Sequence, residues 1–293
     1  MSETTVAAKY VDAETHVLSA SNGVGYAYRA TGVSDGTPLV MLQHFRGNLD
    51  NWDPALIDAL AHGRQVVTFD NRGVAASSGR TPNTIAQTAA DAIDFIDALE
   101  VGEVDLLGFS IGSFVAQEIA LIRPSIVRKI VLASSAPQGA SGMAGWAAEV
   151  IAAVGKPETS AEDYLSVFFT DSDASRAAGR EVVGRLFGAR TVDRDAATGW
   201  QTRLAQYDAV CTWGQPNHCL LERVSAIENP VFVANGDSDP MILPRYSYLL
   251  AGLIPGARLK SYPDAAHGFL FQHHAEFAAD VDAFLTLTSA SPA

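Results

Sequence analysis

The sequence predicts an α/β protein. Its sheet should be mostly parallel, with eight strands, helices on both faces and a helical segment inserted late in the chain. Three observations predict this. Short apolar runs alternate with amphipathic helical patterns over the first 137 residues, as chains that build parallel sheets do. The runs "PLVMLQHF" and "VDLLGF" are continuously apolar rather than alternating, as expected of strands buried on both faces. The alternation stops near Pro137 and resumes only at "PVFVANGD".

Taken in order, "HVLSASNGVGYAYRATG" reads as two strands around the turn Ser21-Asn22-Gly23, an antiparallel hairpin at one edge. "PLVMLQHF" is the next strand, "NWDPALIDALAHG" a helix closed by Gly63, and "QVVTFD" another strand. "TPNTIAQTAADAIDFIDALEVG" is an amphipathic helix with Gly102 beyond its end. "VDLLGF", a helix through "IGSFVAQEIALIRP" and a strand in "VRKIVLASSA" follow. Residues 138–228 read as helical throughout and rich in aromatics, which suggests a cap dividing the core into 1–137 and 229–293. The strand "PVFVANGD", the helix "PRYSYLLAGLIPG", the strand "ARLKSYPD" and a helix near 274–287 complete the pattern. The tail "TSASPA" should fray.

Composition narrows the function. The 293 residues are 48% hydrophobic with a formal net charge of −13. That charge disfavours nucleic acid and anionic membrane as partners. No apolar stretch is long enough to span a membrane, and the N-terminus lacks the pattern of a secretory signal. The two cysteines, Cys211 and Cys219, fit a reducing cytoplasm. With His218 they form a cluster whose spacing does not match a zinc site. No cofactor or metal is expected, and the sequence leaves a homodimer open.

The segment Gly108-Phe109-Ser110-Ile111-Gly112 has the form G-x-S-x-G between a strand and a helix. A turn that sharp brings the positions two before and two after the serine together, so both must lack a side chain. It would expose the Ser110 hydroxyl, with the Ile111 N–H at a helix N-terminus available to an oxyanion. A serine hydroxyl needs a base. Of the seven histidines, only His267, in "PDAAHGF", falls in a loop between a late strand and the last helix. Such strand ends are where open α/β sheets hold ligands. The base in turn needs a carboxylate. "VFVANGDSDP" offers Asp237 and Asp239; Asp239 lies further into the loop and is the chosen acid, with Asp237 the alternative.

With Ser110, Asp239 and His267 in that order, the chain resembles the α/β-hydrolase family, in its serine-esterase, haloperoxidase-like branch. The resemblance covers nearly the whole length and implies the α/β-hydrolase fold. It also implies that a loop after the third strand supplies a second oxyanion N–H. In "LQHFRGNLDNW" Gln43 stands at the family's usual His, His44 at its usual Gly and Phe45 at the oxyanion position. His44 is then a packed residue orienting the loop, with a catalytic role as the alternative. "DNRGVAAS" matches the family's D-x-R-G-x-G-x-S at Asp70, Arg72, Gly73 and Ser77, with Ala75 replacing the second glycine. The pattern G-x-x-D counted from Gly236 lands on Asp239. A serine nucleophile argues against haloalkane dehalogenase and epoxide hydrolase activity, which use aspartate there.

The resulting expectation is a cofactor-free serine hydrolase of small to medium apolar esters or lactones, with Arg46, Trp146, Phe168 and Trp213 as the candidate pocket residues. Arg46 either meets a polar or carboxylate group of the substrate or lies at the surface, and the cap aromatics either line the acyl pocket or form the cap's own core. Perhydrolase or haloperoxidase, acyl-homoserine-lactone lactonase and C–C bond hydrolase would use the same triad. A non-catalytic ligand receptor on this fold is the reading from a different class.

Overall fold

A computed structural model describes residues 9–287; the N-terminal octapeptide and the tail "TSASPA" lie outside the described residues. The strands are β1 (His16–Ser19), β2 (Gly25–Thr31), β3 (Leu39–Leu42), β4 (Val66–Phe69), β5 (Val104–Phe109), β6 (Val127–Ala133), β7 (Val231–Gly236) and β8 (Arg258–Tyr262). They form one eight-stranded sheet in the order β1-β2-β4-β3-β5-β6-β7-β8. The first two strands pair antiparallel to their neighbours, and the other six are parallel. The expected α/β-hydrolase architecture is therefore present.

The hairpin turns where the sequence placed it. Gly23 takes φ 78°, a conformation a glycine adopts without strain. The Asn22 side chain accepts the Val24 N–H at 3.0 Å, closing the turn. Strands β3, β4 and β5 are buried at every position, because helices cover both faces. Those helices are α1 (Pro54–Leu60), α2 (Ile85–Ala98) and α3 (Ile111–Ile122), with α9 (Pro244–Leu253), α10 (Phe269–Gln272) and α11 (His274–Thr286) later in the chain.

Between β6 and β7 the described chain forms helices and no strand: α4 (Ala148–Val154), α5 (Ala161–Phe168), α6 (Asp173–Gly188), α7 (Trp200–Trp213) and α8 (His218–Glu222). This insertion is tied to the core by charge. Arg185 on α6 donates twice to Asp53, the N-cap of α1, at 2.8 and 2.7 Å. The loop between α6 and α7 is fixed by Asp195, whose N–H donates to Asp50 at 2.6 Å and whose carboxylate lies 3.6 Å from Arg29. No helix among the described residues is long and apolar enough to cross a membrane.

Candidate active site

Ser110 sits where β5 becomes α3, with φ 56° and ψ −123°. A non-glycine residue there costs on the order of 1–3 kcal/mol and persists only when its surroundings hold it. The hold is visible. The Ser110 N–H donates to Ala133 at the end of β6 (2.9 Å), and its carbonyl accepts from the Ser113 N–H (2.8 Å) and the Ser113 hydroxyl (2.5 Å). Both flanking glycines are sterically required. A Cβ on Gly108 would lie 2.4 Å from the Gly112 carbonyl oxygen, and one on Gly112 would lie 2.0 Å from that of Leu42.

Two loops at the C-terminal edge of the sheet bring Asp239 and His267 together. The Gly236 end of β7 passes so close to the His267 loop that a Cβ there would lie 2.2 Å from the Ala265 oxygen. His267 Nδ1 lies 2.8 Å from Asp239 Oδ2, and both side chains are almost fully buried. Asp239 Oδ1 accepts the Met241 and Ile242 N–H groups at 2.8 and 2.9 Å. A hydrogen on His267 Nδ1 would complete the contact with Asp239 Oδ2 and leave Nε2 as the ring nitrogen facing away from that carboxylate. Asp237 has a different task. It accepts the Asp264 and Ala265 N–H groups at 3.1 and 3.3 Å and caps the turn leading to His267. The ring of His267 packs against Phe109 and Phe168, with centroids at 5.0 and 5.3 Å.

The loop after β3 is organised by Gln43. Its Oε1 accepts the His44 N–H at 2.9 Å and its Nε2 donates to the Asn48 carbonyl at 2.7 Å. Gly47 leaves room for this amide, since a Cβ there would lie 2.6 Å from the Gln43 side chain. Among the described residues, the N–H groups of Phe45 and Ile111 have no acceptor. His44 Nδ1 lies 2.9 Å from the Phe45 carbonyl. Burial holds the His44 ring neutral, lowering its pKa to about 4. Asp70 accepts the Leu49 N–H at 2.9 Å, and burial pushes its carboxyl well above the usual range. Its carbonyl accepts from Ser77, so the "DNRGVAAS" segment braces this loop.

Ser110, His267, His44, Phe45, Arg46 and Phe168 line one cavity of about 480 Å³. Ser110 and His267 face it without a hydrogen bond between them among the described residues; such contacts commonly tighten only when substrate is bound. A larger depression of about 670 Å³, between residues 73–83 and α7, contains neither group.

Residues 37–274 match the family model described as the alpha/beta hydrolase fold. The chain belongs to the α/β-hydrolase family. It is 39% identical to an alpha/beta hydrolase fold protein from Chitinophaga pinensis of solved structure, with TM-score 0.90 over 96% of this chain and 100% of that one. It is 28% identical to the putative non-heme bromoperoxidase BpoC of Mycobacterium tuberculosis, over 85% of this chain and 93% of the relative. It is 26% identical to the non-heme chloroperoxidase of Streptomyces lividans, over 92% and 98%. These relatives place it beside the haloperoxidase-like branch.

Within this α/β-hydrolase, not every residue assigned to the pocket reaches it. Trp213 stacks on Phe114 at 5.2 Å and donates its indole N–H to Ala136 at 3.1 Å, so it is core. Trp146 packs edge-on to Phe45 at 4.9 Å, behind the cavity wall. Arg46 does line the cavity, but its guanidinium donates to the carbonyls of Lys156 and Pro157 at 2.8 and 2.7 Å. The wall also includes Tyr164, one of the aromatics of the helical segment, and Arg194, Asp195, Thr198 and Met241, to which the sequence pointed in no way. Cys219 is exposed, Cys211 half-buried, and His218 faces Glu222 at 3.1 Å. Behind the elbow, Ser113, Ser135 and Gln117 form a buried hydrogen-bonded chain, and Ser134 donates to Asn235, which donates to the Ile242 carbonyl. The sequence signal for this network is polar residues at the ends of apolar strands and on one side of the otherwise apolar α3.

Proposed function

We propose that the protein is a serine hydrolase of small to medium carboxylic esters or lactones, working through an acyl-enzyme. The observation that carries this reading is the Asp239–His267 pair opening onto the same cavity as a strained serine. Ser110 Oγ attacks the substrate carbonyl carbon while His267 Nε2 takes the hydroxyl proton. Asp239 keeps the ring in the required tautomer and stabilises the imidazolium. The two unengaged N–H groups, of Phe45 and Ile111, receive the oxyanion. Collapse expels the alcohol, protonated by His267, and water activated by the same ring releases the acid. The helical insertion acts as a cap that shapes the acyl pocket.

The haloperoxidase names of two relatives favour a second reading of the same intermediate. Hydrogen peroxide in place of water would attack the acyl-enzyme and release a peracid.

Turnover of 4-nitrophenyl esters of graded chain length tests the first reading. Ser110→Ala should lose on the order of 10⁶ in kcat, as triad nucleophile removal does. An alanine variant with wild-type turnover would contradict it. Peracid formation from the acid and peroxide, abolished by the same variant, would favour the second.

A further inference from the structure

In a chain with a net charge of −13, carboxylates are plentiful. Most arginines of the described residues accordingly pair with one. Among those with no carboxylate partner, Arg80, Arg180, Arg245 and Arg258 are exposed, where water solvates them. The others are Arg46, Arg194 and Arg203. None of these is exposed; Arg46 and Arg194 line the cavity that holds Ser110, and Arg203 is near enough to Arg46 to act on its charge.

Each is held by neutral groups. Arg46 donates to backbone carbonyls of the α4–α5 linker. Burial and the neighbouring Arg203 push it below the usual guanidinium range. Arg203 is 7% exposed and lies over the rings of Trp200 and Tyr207 at 4.9 and 4.6 Å, with its Nε buried and unpartnered. Arg194 lies over Phe187 at 5.5 Å and makes one hydrogen bond, to the Arg190 carbonyl at 3.5 Å. Most of its N–H groups are therefore unused at the cavity wall. The two carboxylates of that wall do not match them in number: Asp195 shares its charge among Arg29, Arg190 and Arg194, and Glu158 is exposed at the rim. Half-buried cations in excess of their counter-ions are costly unless a further anion completes them.

We infer that the cavity takes an ester or lactone that itself bears a carboxylate. Arg194 binds that group, and Arg46 and Arg203 keep the surrounding wall positive. This rests on the ester-hydrolase reading above and narrows its substrate class. The local field thereby opposes the negative field of the whole chain, selecting the anion at short range where screening is weakest.

Two matched substrates test it: mono-4-nitrophenyl adipate, with a free carboxylate, and its neutral methyl ester. The readout is the ratio of their kcat/KM values. Wild type should favour the free acid by about 10-fold or more, the scale of one charge-assisted hydrogen-bonded contact. Arg194→Gln should lower the ratio by about the same factor, Arg194→Lys should retain part of it, and Glu158→Gln should raise it. A wild-type ratio of one or less, or one that Arg194→Gln leaves unmoved, overturns the inference. A second arm needs no turnover. In the Ser110→Ala background, calorimetry should show adipate binding, neutral adipamide not binding, and adipate weakened by Arg194→Gln. If adipate binds so but neither ester is cleaved, the anion site stands and the ester-hydrolase reading falls. If both esters are cleaved without preference and adipate does not bind, the anion site falls and the hydrolase reading stands.

Discussion

Asp237 and Asp239 stand two residues apart and do different work. Asp239 meets the ring nitrogen of His267, while Asp237 holds backbone N–H groups of the turn that delivers that histidine. An acid that fixes a tautomer acts on chemistry; an acid that caps a turn acts on order. We expect Asp239→Asn to lose about 10⁴ in kcat with little change in melting. Asp237→Asn should keep most of its kcat and melt lower. Melting curves and kcat for the two variants check this, and the opposite pattern would exchange the roles. His44 gives a pH signature. Its folded pKa, lowered by burial to about 4, lies below the ordinary 6.5. Between those values the unfolded chain binds a proton that the folded chain refuses. The stability tied to neutral His44 is thus complete above pH 6.5 and is lost as pH falls toward 4. His44→Asn keeps a donor for the Phe45 carbonyl but does not titrate. Denaturant titrations should show wild type losing roughly 2–3 kcal/mol relative to this variant across that window. Parallel curves would refute the buried, neutral assignment.

At the scale of elements, the elbow was the most legible part of the site because its demands are local. Gly108, Ser110 and Gly112 each answer a steric requirement set by residues within one strand, one turn and one helix. Gly112→Ala should therefore abolish activity, since its Cβ would meet the carbonyl of Leu42 on the neighbouring strand. Far-ultraviolet circular dichroism would show whether the sheet survives around a displaced serine. The loop after β3 was partly legible. The sequence placed Phe45 in it but gave no role to Gln43, which matters because its amide reaches five residues ahead to Asn48. The pocket was least legible. The residues of α7 show no distinct apolar face, so the pattern does not tell which of its aromatics meet core and which meet cavity; Trp213 turns to the core, where its indole N–H finds Ala136. Arg194 and Asp195 lie in an irregular segment between α6 and α7, where no repeat marks them.

At the scale of the whole molecule, the sheet supplies a rigid edge and the insertion closes over it. Alternating runs made the sheet and its order of chemistry readable, because burial on both faces leaves apolar strands. The seam between the two parts was not readable, because it depends on pairs far apart in sequence. Arg185 and the fully buried Asp53 are one such pair. Arg185→Met leaves the Asp53 carboxylate buried without its cation and should cost about 3 kcal/mol, and adding Asp53→Asn should recover part of that loss. Additive losses in the double-variant cycle would mean the pair does not couple the insertion to the core. In the proposed function this assembly makes one serine a nucleophile. A fluorophosphonate probe followed by peptide mass spectrometry tests it most directly. The label should fall on Ser110 alone, be absent in Ser110→Ala, and form far more slowly in His267→Gln. A label on another residue, or labelling of Ser110 that does not depend on His267, would contradict it.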